Sequence, residues 1–152
     1  MKTSPDTTVQ ITRVIDAPRQ RVFAAWTDPR SRNQWWGPAG IETHELIFEA
    51  RVGGNFRWVL STPEGERMAT RGEFHDVRRG EKLTFTWEPE GTTVEHFESL
   101  VTVEFREIDA ATTELRLTHE NLPSEESRDE HTDGWNSALD KFEKFARELT
   151  EK

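Results

Sequence analysis

Between Ile41 and Asn121 the chain alternates apolar and polar side chains in segment after segment, and only after Pro123 does a long helical period take over. Phe56, Trp58 and Leu60 share one parity, as do Leu83, Phe85 and Trp87; so do Phe97, Val101, Val103 and Phe105, and then Leu115, Leu117 and His119. Their neighbours Arg57, Thr84, Thr86, Thr102, Glu104, Glu114, Arg116 and Thr118 are polar. A two-residue period buries one face of a strand and wets the other, which is the pattern of an antiparallel sheet with one solvated side. Turn chemistry at Gly53-Gly54, Pro63-Glu64-Gly65, Arg79-Gly80, Pro89-Glu90-Gly91 and Asp109-Ala110 separates the segments. With a first strand carrying Val9, Ile11 and Ile15, the chain is expected to form about seven strands, a normal sheet size.

A sheet with one apolar face must have that face covered. Trp135, Leu139, Phe142, Ala146 and Leu149 step by three or four residues, with Asp140, Lys141, Glu143, Lys144, Arg147 and Glu148 between them, so one long amphipathic helix is expected at the C-terminus. Its start lies between Glu125 and Gly134, with Ser127 and Glu130 at capping-box spacing. Two shorter helices are expected after the first strand. One begins at Asp16 and Pro18 and sets Val22, Phe23 and Trp26 on one face; the other runs from Pro29 to Trp36 and is stopped by Gly37-Pro38. The long helix is the only element able to cover the sheet, and it is not expected to fill the open end completely, which leaves space for a pocket. The reading is one α+β domain over residues 9–150, preceded by a disordered tail over residues 1–8.

Composition narrows what such a domain could do. Hydrophobic residues make up 33% and charged residues 32% of the chain, so the apolar material must concentrate on internal faces. Six Trp and nine Phe without a single Tyr supply large apolar area with few phenolic handles. A net charge of -9 argues against a nucleic-acid partner, whose backbone is bound by clustered Lys and Arg. The absence of Cys excludes disulfides and thiol nucleophiles. No apolar run suits a membrane span or a secretory leader, so no membrane partner and a cytoplasmic location are expected.

Catalytic patterns are sparse. His44, His75, His96, His119 and His131 fall on different expected elements without metal-ligand spacing, and no metal or other cofactor is expected. Ser61, Ser99, Ser124 and Ser137 sit in no nucleophile elbow. Asp76 and Glu49 could do acid-base work only if they face inward. His119 shares the inward parity of Leu115 and Leu117, so it either points into a pocket or is a core histidine with satisfied hydrogen bonds. The charge-rich stretch from Glu125 to Asp133 reads as a solvated face.

Motifs in combination carry a resemblance. Arg13-Val14-Ile15-Asp16-Ala17-Pro18, Val22-Phe23-Ala24-Ala25-Trp26-Thr27-Asp28-Pro29 and Trp35-Trp36-Gly37-Pro38 resemble the N-terminal signature of the SRPBCC (START/Bet v-like) superfamily. More narrowly the chain resembles the branch named for the C-terminal domain of the activator of heat-shock-protein-90 ATPase. Glu49-Ala50-Arg51-Val52-Gly53-Gly54-Asn55-Phe56 is similar to that branch's acidic-x-Arg-Pro-Gly-Gly turn, with Val52 in the Pro place. Lys82-Leu83-Thr84-Phe85-Thr86-Trp87 and Gly134-Trp135-x-x-x-Leu139 extend the resemblance over Val9 to Leu149.

The resemblance implies a helix-grip fold with an internal cavity. It does not imply one function, because its members include binders, co-chaperone modules and cyclases. The leading expectation is a domain that binds an apolar or aromatic small molecule. The alternatives are a co-chaperone-like module whose partner is a chaperone or another protein, and a cyclase- or hydrolase-like enzyme. Candidate ligand-binding residues are the aromatics Trp35, Trp36, Phe56, Trp58, Phe74, Phe85, Trp87, Phe97 and Trp135, the apolar Leu117 and Leu139, and the polar Thr70, Ser99 and His119.

Overall fold

The computed structural model describes residues 5–91 and 97–150, without the side chains of Pro5, Leu149 and Thr150. The expected burial of Leu149 and the place of His96 lie outside the described residues. Seven strands form one antiparallel sheet: β1 (Val9–Ile15), β2 (Glu42–Phe48), β3 (Asn55–Ser61), β4 (Arg67–Arg78), β5 (Lys82–Pro89), β6 (Ser99–Asp109) and β7 (Thr112–Glu120). Their order is β1-β7-β6-β5-β4-β3-β2, so consecutive strands from β2 to β7 are neighbours joined by hairpins. The first strand closes the far edge by pairing with β7, Val9 opposite His119 and Ile15 opposite Thr113.

Two short helices, α1 (Arg19–Thr27) and α2 (Pro29–Arg32), carry the chain from one sheet edge to the other. Asp28 separates them, and its carboxylate accepts from the Arg30 amide at 2.9 Å. α2 ends at Arg32, four residues short of the expected Trp36. The reason is tertiary. Trp35 and Trp36 are adjacent and both buried, Trp35 against Trp26 and Phe142 and Trp36 against Phe48, Phe56 and Trp58. A turn lets consecutive indoles reach these separate neighbours. Residues 5–7, expected as part of the tail, form a 3-10 turn whose Thr7 carbonyl accepts from the Leu122 amide.

The C-terminal helix, α3 (Glu125–Thr150), lies on the apolar face. Ser124 caps it through its hydroxyl to the Ser127 amide at 3.1 Å, so the expected Ser127–Glu130 capping pair gives way to a cap three residues earlier. Trp135, Ala138, Leu139, Phe142 and Ala146 are buried along the stripe that meets the sheet. Arg13 fixes the helix to the edge strand. Its guanidinium donates to Asn136 Oδ1 and Asp140 Oδ1, both at 2.9 Å, and to the Glu143 carboxylate, one stripe of the helix. Beneath the helix, Phe56, Phe74, Phe85, Leu83, Leu115 and Leu117 are almost wholly buried. No helix among the described residues is long and apolar enough to cross a membrane.

The turn between β2 and β3 explains its glycines. Gly53 has φ +82°, a conformation that L side chains rarely adopt, and a Cβ on Gly54 would meet the Glu49 carbonyl oxygen at 2.0 Å. Val52 is solvent-exposed at the same turn.

Leu139 is wholly buried where α3 meets the sheet, so Leu139→Ala should cost about 2–5 kcal/mol. Chemical denaturation should show this as a lower midpoint with the slope preserved; an unchanged midpoint would contradict the packing.

Candidate functional site

Along α3 the residues that face the sheet change in size. Its C-terminal half offers Leu139 and Phe142, while the turn before them offers Gly134 and Ala138. Gly134 and Ala138 supply little side-chain volume beside Trp135, and a pocket of about 450 Å³ opens there. Trp58, Leu60 and Thr62 line it from β3 and the turn after it, Met68 and Thr70 from β4, and Trp87 from β5. The loop after α2 adds Trp36, Gly37, Pro38 and Ile41; α3 adds Glu130, His131, Gly134, Trp135 and Ala138. Pockets of about 300–1,000 Å³ walled mainly by apolar groups are of a size to hold small molecules.

The four tryptophans of the lining pack ring against ring in a closed circuit of contacts, a continuous indole wall on one side of this space. Ring centroids lie 5.7 Å apart for Trp36–Trp58, 6.0 Å for Trp58–Trp87, 5.5 Å for Trp87–Trp135 and 5.9 Å for Trp36–Trp135. Neighbouring planes meet at 84°, 66°, 50° and 86°, edge to face or tilted in each case.

A buried hydrogen-bond chain holds two of the four. The Trp135 indole N–H donates to His119 Nδ1 at 3.1 Å, and His119 Nε2 lies 2.8 Å from the Ser99 hydroxyl, which donates to the Trp87 carbonyl at 2.7 Å. An indole nitrogen can only donate, so Nδ1 is the acceptor and the proton sits on Nε2. Burial holds His119 well below the ordinary histidine range, and the neighbouring His131 adds to the effect. The imidazole is therefore neutral, and both its nitrogens are engaged.

His131 sits one helical turn before Trp135 and packs edge-on to His119, centroids 5.0 Å apart. Its Nδ1 donates to the Ser127 carbonyl at 2.8 Å, which leaves Nε2 as an acceptor. Burial lowers its pKa as well.

The match to a family model decides the relationship. The description "Activator of Hsp90 ATPase homolog 1-like protein" fits residues 16–147. The chain belongs to that family.

The AHSA1-like fold is part of the SRPBCC superfamily, and solved structures agree with it. An AHSA1 protein of Silicibacter pomeroyi superposes with a TM-score of 0.79 at 26% identity, over 94% of this chain and 97% of that one. A Chromobacterium violaceum protein gives 0.82 at 23% identity over 92% and 96%. One from Nitrosomonas europaea gives 0.77 at 18% over 98% and 99%. No curated protein matches the sequence.

Within this AHSA1-like domain, the residues picked out from sequence divide into three groups. Trp36, Trp58, Thr70, Trp87 and Trp135 stand on the pocket wall. Ser99 and His119 lie one layer behind it, buried, holding Trp87 and Trp135. Trp35, Phe56, Phe74, Phe85, Leu117 and Leu139 belong to the packed core, and Phe97 is half-buried against it. Trp35 is wholly buried and donates its indole N–H to the Ala25 carbonyl at 2.9 Å. Sequence reasoning missed Glu130, His131, Gly134 and Ala138, because the stretch from Glu125 to Asp133 reads as a solvated face. The signal was present in the spacing: positions 131, 134, 135 and 138 fall on one helical stripe that continues to Leu139 and Phe142. Among the described residues no cluster of His and carboxylates is arranged to hold a metal ion.

The AHSA1-like fold keeps His119 neutral while the unfolded chain protonates near pH 6.5. Below that pH the unfolded state binds a proton that the fold rejects, so the stabilisation is complete above it and is lost as pH falls. Stability should decline between pH 7 and pH 5.5 by at most about 1.4 kcal/mol per pH unit for each such histidine. Thermal melts of His119→Gln should start lower and slope less with pH. An unaltered slope would mean that His119 is not held neutral.

Proposed function

We propose that this domain binds small apolar or aromatic molecules in the pocket between α3 and the β3–β5 face. The SRPBCC scaffold commonly binds hydrophobic ligands, and the observation that carries the reading here is local. Four large indoles, Leu60, Ile41 and Met68 surround open space where Gly134 and Ala138 supply almost no side-chain volume. Met68 stays 42% exposed, an apolar side chain left at the wall. Burying a guest's apolar surface contributes about 25 cal/mol per Å² before the cost of association, which supports micromolar affinity. The neutral, fully engaged His119 fits a supporting part behind the wall.

Ala138→Leu tests this directly, because the added side chain occupies the space while the core layer of Leu139 and Phe142 is untouched. Titration calorimetry with naphthylmethanol should show micromolar to sub-millimolar binding to the wild type and at least a tenfold loss in Ala138→Leu, with melting temperatures within a few degrees. Equal affinity in the two proteins, or no binding to either at millimolar ligand, would overturn the proposal. In the second case a protein-interaction role becomes the reading to pursue.

A further inference from the structure

The charge-bearing groups on the pocket wall are of one kind. Among the described residues no Lys or Arg lines it, while Glu130 contributes a carboxylate at the rim and His131 a neutral ring. His131 is held in one tautomer by its bond to the Ser127 carbonyl, so Nε2, the nitrogen free of that bond, can only accept. Two of the four indoles turn their N–H groups away from a guest: Trp58 donates to Thr43 Oγ1 at 3.0 Å and Trp135 to His119. Beside the hydroxyls of Thr62 and Thr70 and the buried, unpartnered N–H of Trp36, the space presents π-surface, an imidazole lone pair and one carboxylate. The π-surface and the carboxylate favour positive charge and the lone pair an N–H donor, and an anion would meet repulsion from Glu130 with no cation to answer it.

We infer that the pocket selects apolar molecules carrying a protonated amine over neutral and acidic molecules of the same shape. The tryptophan circuit would take the apolar body and the alkylammonium methylenes, His131 Nε2 would accept one N–H, and Glu130 would supply the counter-charge at the mouth. Tryptophan is the strongest of the aromatic partners for a cation lying within about 6 Å of the ring centroid. This inference rests on the binding role proposed above, and it names the class of ligand that role would serve.

The test is a matched series of naphthylmethylamine, naphthylmethanol and naphthoate, titrated calorimetrically at pH 7.5 and low salt. The amine should bind about three- to tenfold more tightly than the alcohol, and the naphthoate more weakly than both. Glu130→Gln, an exposed substitution that leaves the core intact, should weaken the amine by a larger factor than the alcohol and so bring the two affinities together. Equal affinities across the series, or preference for the naphthoate, would overturn the charge preference and leave the binding role standing. Failure of all three to bind would overturn both. An amine preference that survives Glu130→Gln and high salt undiminished would remove the carboxylate from the account and contradict the inference as stated.

Discussion

The pocket's geometry depends on a hydrogen-bond chain that runs from Trp135 on α3 through His119 on β7 and Ser99 on β6 to the backbone of Trp87 on β5. Each member has one arrangement of its protons, because the indole only donates and the carbonyl only accepts. A fully satisfied buried chain of this kind fixes orientation as well as contributing stability, since each broken link would leave a desolvated polar group. Two walls of the tryptophan circuit are thereby tied to the helix and to the sheet at once. The other two, Trp36 and Trp58, are braced by packing: Trp36 against Phe48 and Phe56, and Trp58 by its bond to Thr43 and by Gly37, whose missing Cβ would lie 3.1 Å from the indole.

Much of the architecture was legible because alternation and helical period are direct readings of which face a side chain occupies. The strands around Trp58, Trp87, Val103 and Leu117 and the stripe Trp135–Leu139–Phe142 followed from this. Parity also placed His119 inward, and inward parity alone does not tell a pocket wall from the layer behind it. That distinction is made by Trp135 reaching across from another element, a contact that the spacing of β7 does not encode. The same limit explains why Trp35, Phe74 and Phe85 were grouped with true wall residues. They share the apolar face, and the part of it that stays open lies where α3 carries Gly134 and Ala138 in place of larger side chains.

The misreadings come from local signals overruled by tertiary contacts. Ser127 and Glu130 have capping spacing, yet the helix begins earlier because Ser124 is free to cap it, which puts Glu130 and His131 inside the helix on the pocket side. Gly134 complicated the expected start of α3 as a helix breaker, whereas it lies mid-helix where volume is missing. Pro29 to Trp36 reads as one helix until the need to bury Trp35 and Trp36 in different places is considered.

The central claim is the proposed binding of an apolar guest against the four-tryptophan wall of the pocket. It is tested most directly by following the six indole N–H resonances by NMR during titration with naphthylmethanol. The account predicts that Trp36, Trp58, Trp87 and Trp135 shift while Trp26 and Trp35, wholly buried behind them, stay in place. Shifts led by Trp26 and Trp35, or none at saturating ligand, would contradict it.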